Sequence, residues 1–373
     1  MRLAETFRSL DWVAVAAMLL LIAFGLAMLG SSTYTASAVS GLFIRQLVSA
    51  AISLAAFGLL AWTSYHAISR FAPVLYLVTF VGLIFVTLFG TFVRGTVSRL
   101  VLFGVQIQPS EFMKIGLVVG LSWLLARAPR LRPKAILASA ILVALPAGLV
   151  ILEPDLGVAA LMISFWVILL VFRGVPWRVF LAILLAGVLV LGAGWQWFFA
   201  DYQRQRLIIF LNPTSDPLGA GYNIVQSIVA LGSGQYFGRG LGHGPQSQLQ
   251  FLPERHTDFI LASIGEELGF LGVFIVVALY TVLLWRILKI ARITESAFGQ
   301  LLCVSVFVIL LVSFSVSVGM NMGLLPVTGI PLPLVSFGGS NLLATCILLG
   351  IVQSVRIHSH WNKTPPAELV AFT

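Results

Sequence analysis

The sequence predicts an all-α polytopic membrane protein: about ten transmembrane helices, both termini cytoplasmic, and one large extracytoplasmic loop between helices seven and eight. Three observations carry that expectation. Apolar residues make up 59% of the 373-residue chain and charged residues 9%, against about 45–50% and about 25% in soluble domains. Ten apolar runs approach the length of about 20 residues that a helix needs to cross a bilayer. Lys and Arg are also divided unequally between alternate connections. Such a composition excludes a soluble enzyme, a disordered chain and a disulfide scaffold.

The runs lie near 12–30, 45–62, 71–91, 109–126, 135–152, 156–172, 179–199, 264–285, 298–322 and 336–355. Ala36-Ser37-Ala38 after the first run resembles a signal cleavage site. A signal core is about 7–15 residues long, shorter than this run, which is therefore read as a span. The fifth and sixth runs are separated only by Glu153-Pro154-Asp155, a tight re-entry turn. Cys303 and Cys346 fall inside apolar runs, where a thiol behaves as a small hydrophobe.

With the N-terminus inside, cytoplasmic segments hold 14 Lys and Arg and the short outer loops only Arg45, Arg94 and Arg99. That asymmetry is the positive-inside pattern. The net charge of +9 is thus a record of orientation, and a nucleic-acid partner loses its support. The chain reads as a single integral membrane domain, 1–373, containing the outer loop 200–263.

Six of the thirteen acids (Asp201, Asp216, Glu254, Asp258, Glu266 and Glu267) lie in or just after that loop, beside Arg204, Arg206, Arg239, Arg255, His243 and His256. Apolar and aromatic residues run through it, so it is expected to be structured, either as a passive cap or as a functional element. Glu254-Arg-His-Thr-Asp258 places charge at the mouth of a membrane helix. If that stretch is helical, Glu254 and Asp258 share a face. A carboxylate there can be a general base, a metal ligand or half of an ion pair with Arg255.

Two further polar clusters sit at helix ends. Pro109 takes a first helical position and Glu111 and Lys114 follow on one face. They form either an intrahelical pair or a lysine held to meet a negative group such as a diphosphate. Glu153 and Asp155 either cap the sixth span or line a cavity. Pro326, Pro331 and Pro333, before Ser336-Phe-Gly-Gly-Ser-Asn341, read as a proline-stiffened connection.

Gln108-Pro-Ser-Glu-Phe-Met-Lys114, Glu153-Pro-Asp-Leu-Gly157, Pro253-Glu-Arg-His-Thr-Asp-Phe259, Gly265-Glu-Glu-Leu-Gly269 and Pro333-Leu-Val-Ser-Phe-Gly-Gly-Ser340 occur in this order. Together with ten spans and a large loop after the seventh, they resemble the SEDS family, the shape, elongation, division and sporulation proteins of bacteria. Asp201-Tyr-Gln-Arg-Gln-Arg206, Asp216-Pro-Leu-Gly219 and Leu252-Pro-Glu-Arg-His256 resemble its elongation branch rather than its division branch. The resemblance implies a peptidoglycan glycosyltransferase that polymerises lipid II outside the bacterial cytoplasmic membrane. It implies that Asp258 is the essential acid, and that the partners are a class B penicillin-binding protein and the wider elongasome.

For such a reaction Asp258 is the expected base. Lys114, Arg204, Arg206, Arg239 and Arg255 are candidates for contacts to the leaving diphosphate. Glu111, Glu153, Glu254 and His256 are supporting candidates. A divalent cation, magnesium or manganese, fits the chemistry, with Asp258 able to be one of its ligands. No P-loop pattern occurs, so no nucleotide is expected. Two rival classes remain at this level: a lipid II flippase and a non-catalytic scaffold that activates a penicillin-binding protein.

Overall fold

The computed structural model describes residues 9–33, 40–93, 96–102, 105–128, 131–194, 196, 201–212, 220–249 and 251–359. Asp216 lies outside them, and so do the side chains of Asp201 and Arg206. Helices dominate. They are α1 (Trp12–Thr33), α2 (Ser40–Trp62), α3 (Tyr65–Phe89), α4 (Pro109–Ala126), α5 (Pro133–Leu152), α6 (Leu156–Phe172) and α7 (Trp177–Ala193). After the loop region come α8 (Asp201–Leu211), α9 (Ala220–Ser233), α10 (Pro245–Gln248), α11 (Ile260–Ile293), α12 (Ala297–Asn321) and α13 (Gly339–His358).

Eight of these, α1 to α5 and α11 to α13, are long and apolar enough to cross a membrane. The sixth and seventh predicted runs form the shorter apolar helices α6 and α7. Helices suit this solvent because they satisfy their own backbone groups. Their starts follow local chemistry. Pro109 and Pro133 occupy first-turn positions, while Asp155 and Ser296 accept from the backbone N–H groups of Val158 and Gly299.

α4, α12 and α13 form the buried centre, whereas α2, α3 and α5 expose most of their apolar surface. α13 packs along α2, α3 along α4, and α12 touches α4, α6, α11 and α13. At one end Arg286 of α11 makes a forked contact with Asp11, with Nε–Oδ2 of 2.9 Å and Nη2–Oδ2 of 2.6 Å. Asp11 is buried, and its backbone N–H donates to Gln353 of α13 at 3.0 Å.

Sequence periodicity gave no sign of a small sheet between α3 and α4. Strands β1 (Thr91–Val93), β2 (Thr96–Leu102) and β3 (Val105–Ile107) pair antiparallel in the order β1-β2-β3. Thr91 faces Arg99 and Val101 faces Gln106. The sheet is tied to the start of α13 through Ser340, whose hydroxyl donates to the Gln106 carbonyl at 3.3 Å and accepts from the Gln108 N–H at 3.1 Å.

α11 is broken at Gly269, which has φ 65° and ψ −162°. The break is filled by the glycine-rich segment after α9. Phe270 and Leu271 donate their N–H groups to the carbonyls of Gln235 and Tyr236, at 2.8 and 3.1 Å. Arg239 and Gly240 donate to the carbonyls of Glu266 and Glu267, both at 3.0 Å. A side chain at Gly269 would place its Cβ 2.3 Å from the Gly238 nitrogen. Glycine is therefore required there by both conformation and space.

Candidate active site

The segment 253–259 is a run of turns, and α11 begins only at Ile260. The expectation that Glu254 and Asp258 share a helical face is therefore corrected. Glu254 adopts φ 54°, in the left-handed region, which is incompatible with a helix starting earlier. Its carboxylate accepts from the Thr257 hydroxyl at 2.9 Å.

Arg255 is buried, and its Nε donates to His256 Nε2 at 3.2 Å. Burial pushes the Arg255 guanidinium below its ordinary value, while the Glu267 and Glu266 carboxylates oppose the change. Its Nη1 has no hydrogen-bond partner among the described residues. His256 is pushed down to about 4, first by burial and then by the neighbouring Arg255. It is a neutral acceptor at neutral pH, which suits the bond it receives.

Asp258 is half-buried. Its carbonyl accepts from Asn321 Nδ2 at 2.8 Å. A second strap comes from the proline-rich connection. The Ser336 hydroxyl donates to the Thr257 carbonyl at 2.6 Å, and the Phe337 N–H donates to the His256 carbonyl at 2.8 Å. Gln46 of α2 holds this strap in turn: its Nε2 donates to the Ser336 carbonyl at 3.4 Å, and its Oε1 accepts from Gly338 at 3.2 Å. The connection read as merely stiffened by proline is thus a clamp on the acidic segment. Its prolines leave carbonyls and few N–H groups, so serine and glutamine side chains complete the pairing.

The same connection reaches two other clusters. Thr328 lies against the start of α6, where a Cβ on Gly157 would stand 2.3 Å from the Thr328 carbonyl oxygen. The next residue, Gly329, would carry its Cβ 3.7 Å from Asp258 Oδ2. Glu153-Pro-Asp-Leu-Gly157 and Asp258 are therefore neighbours across Thr328-Gly329. The capping reading holds for one of the two acids in that motif. Asp155 caps α6 through the Val158 N–H at 3.1 Å. Glu153 is buried in the turn between α5 and α6 and accepts from the Thr87 hydroxyl at 2.9 Å. Its Oε2 has no partner among the described residues. Burial pushes Glu153 up to about 7, with the Thr87 bond opposing and Asp155 adding to the rise.

Lys114 and Glu111 form a buried ion pair on α4 with Nζ–Oε2 of 2.6 Å. The same carboxylate oxygen accepts from Asn341 Nδ2 at 2.9 Å. A small cavity here is lined by the pair, by Ser313 and Thr345, and by Pro333 from the clamp. The intrahelical pair is thus the state described, and the pair also reaches the edge of the clamp.

The remaining cations are placed apart. Arg239 is exposed, with its backbone bound at the α11 break. Arg204 is half-buried on α8, which packs on α9. Arg206 lies on α8 with its side chain outside the described residues. Glu266 and Glu267 are structural. Glu266 accepts from the N–H groups of Gln246 and Ser247, at 2.7 and 2.9 Å, and from the Ser247 hydroxyl. Glu267 accepts from Ser31 at 2.8 Å, Gly242 at 3.1 Å and Gln248 at 3.2 Å.

Sequence reasoning did not single out Gln46, Asn321 or Asn341. A polar amide inside or at the end of an apolar run was the available signal, since such a group must find a partner.

A family model described as "Cell cycle protein", covering FtsW, RodA and SpoVE, matches residues 11–361. The chain is 40% identical over 326 residues to the peptidoglycan glycosyltransferase MrdB of Escherichia coli strain K12, covering 85% of this chain and 86% of that one. It is 29% identical over 421 residues to the peptidoglycan glycosyltransferase RodA of Treponema pallidum, covering 92% and 97%. Among solved structures, a chain from work on the structural coordination of polymerization and crosslinking by a peptidoglycan synthase complex superposes with a TM-score of 0.81. That chain is 31% identical, with 95% of this chain and 99% of that chain covered. The rod shape determining protein RodA of Thermus thermophilus superposes with a TM-score of 0.72 at 28% identity, covering 95% and 98%. The chain belongs to the SEDS family, the group of FtsW, RodA and SpoVE.

Proposed function

We propose that this protein is a peptidoglycan glycosyltransferase of the bacterial cytoplasmic membrane that polymerises lipid II during cell elongation. The observation that carries the reading is the clamp that brings Asp258 beside the Glu153–Gly157 motif and reaches the Lys114–Glu111 pair. The relatives named as peptidoglycan glycosyltransferases support the reaction class. The excess of Lys and Arg on alternate connections supports a site facing the outer side of the membrane.

In this mechanism the 4-hydroxyl of a lipid II sugar attacks the anomeric carbon of the growing strand's terminal sugar. Asp258 takes the hydroxyl proton, the C–O bond to undecaprenyl diphosphate breaks, and the configuration inverts. Asp258 lies just before the N-terminus of α11. Arg255, whose buried Nη1 has no partner among the described residues, is the best-supported contact for the leaving diphosphate. Lys114 serves the same anion only if it leaves Glu111 or shares it.

A magnesium or manganese ion would be held by Asp258 together with substrate phosphate oxygens, stabilising the leaving charge. Among the described residues no group of three or more His, Cys, Asp or Glu is gathered to hold a metal. A class B penicillin-binding protein is the expected partner, and the match to a chain from a synthase complex supports it.

The test is reconstitution of the purified protein with fluorescent lipid II and its transpeptidase partner. Glycan strands are expected from the wild type and none from Asp258→Ala or Asp258→Asn at unchanged thermal stability. Strands from folded Asp258→Ala would remove the base assignment. Lipid translocation without strands would favour the flippase, and partner activation by Asp258→Ala without polymerisation by either form would favour the scaffold.

A further inference from the structure

Asn321 is the last residue of α12, fully buried at the end of an apolar helix. A buried amide is tolerated only when its hydrogen-bonding groups are used. Its Nδ2 donates to the Asp258 carbonyl and to the Ser317 carbonyl, both at 2.8 Å. Its Oδ1 accepts from the Ala262 N–H at 3.0 Å, and its own carbonyl accepts from the Ser227 hydroxyl of α9 at 2.7 Å.

Two of these bonds solve a specific problem at the start of α11. The first N–H groups of any helix lack intrahelical partners. The residue at the N-cap here is Phe259, which makes no capping bond with its side chain. Asn321 supplies the missing acceptor from another helix. With the other end of the same amide it holds the peptide carbonyl of the residue before that cap. The Asp258 peptide plane cannot turn without breaking this part-buried bond. Oδ2 of the Asp258 side chain lies beside Gly329, whose Cβ would stand 3.7 Å from it.

We propose that Asn321 is a positioning residue for Asp258: it caps α11 in trans and fixes the orientation from which the Asp258 carboxylate meets the acceptor hydroxyl. This rests on the assignment of Asp258 as the base. Asn321 acts through Asp258 and touches no substrate itself.

The discriminating variant is Asn321→Asp, which keeps the size and the acceptor for Ala262 but loses the amide donor to Asp258. Full-length protein in lipid vesicles is assayed with lipid II and its partner, alongside thermal melting. Carbodiimide labelling of Asp258 is followed by peptide mass spectrometry across pH. The expected results are a lowered melting temperature, because the Asp258 and Ser317 carbonyls lose a donor at a buried site, and, per folded molecule, kcat lower by about 10–100-fold and KM within about twofold. The labelling midpoint of Asp258 should also rise, because a carboxylate has been placed beside it. If Asn321→Asp does not fold, Asn321→Ser carries the test, with the kcat loss and faster Asp258 labelling expected.

Wild-type kcat and an unchanged Asp258 labelling profile in a folded variant would overturn the proposal. So would an activity loss that merely tracks the folded fraction. If wild-type protein makes no strands while the labelling still changes on substitution, the clamp stands and the polymerase reading falls.

Discussion

Two sets of carboxylates flank the first turns of α11 and are treated in opposite ways. Glu266 and Glu267 are saturated, each accepting from three donors in neighbouring segments or from α1. Asp258 is gripped by its main chain, and Glu153, across Thr328-Gly329, keeps one oxygen without a partner among the described residues. In sequence all four look alike: acids at the edge of an apolar run. Glu266 and Glu267 differ from Glu153 in how many donors converge on each. Saturated acids act as rivets between segments, whereas an acid with spare capacity can take a proton or a ligand.

The sharpest way to break this contrast is to exchange charge for amide at Asp258. Asp258→Asn is expected to lower polymerisation by about 10²–10⁴-fold, the usual weight of a general base, with no change in melting. The rivets should do the reverse. Glu266→Ala orphans three donors and is expected to cost about 3 kcal/mol or more, read as a lower melting temperature with activity falling in proportion to folded protein. A variant that melts normally but is inactive would place Glu266 with the reactive acids instead.

Lys114→Ala lies between the two classes. It leaves Glu111 buried beside Asn341 and is expected to destabilise by about 3 kcal/mol. Adding Glu111→Gln should recover much of that loss in a melting experiment, and no recovery would count against a structural pair.

Gly269→Ala forces a side chain into a conformation and a space made for glycine, at a cost of about 1–3 kcal/mol. Hydrogen exchange should quicken at Phe270 and Leu271, whose N–H groups bind the filling segment.

The last effect concerns Glu153 and depends on pH. Its folded value, raised to about 7 from 4.5, means that the folded state binds the proton more tightly. Stability from this group is present at acid pH and is lost as pH rises through about 7. Glu153→Gln should therefore raise stability at pH 8 by about 3 kcal/mol, read as a higher melting temperature, and do little at pH 4. Equal effects at both pH values would show that the proton is not held there.

The spans were legible because a length ruler and backbone self-sufficiency leave a membrane chain few alternatives. Lys114, Glu111 and the Glu254–Asp258 segment stood out because charge at a membrane edge is rare, whereas the choice of Asp258 within that segment came from the resemblance to the SEDS family. The strands at 91–107 were not legible, since three short segments with Arg99 and Gln106 among them carry no sustained alternation. The i,i+4 reading of Glu254 and Asp258 failed because helix propensity does not reveal a left-handed residue at Glu254. The clamp was missed because its parts, Gln46, Asn321 and Ser336, come from elements far apart in sequence. Their meaning lies in the partners they meet.

The break at Gly269 sets the mechanics of the site. The piece of α11 outside it, Ile260–Leu268, is a stub about 13 Å long at about 1.5 Å per residue. The inner piece is moored by Arg286 to Asp11. Asp258 rides at the tip of this lever, whose fulcrum is a glycine braced by Gln235 and Tyr236. A tilt of about 10° there would carry the tip about 2 Å, more than the roughly 1 Å misplacement that can cost about a hundredfold in rate. The bonds from Glu266 and Glu267 to the segment 242–248 and to Ser31 hold the stub against such a tilt, so the placement of Asp258 depends on the filling segment staying seated in the break.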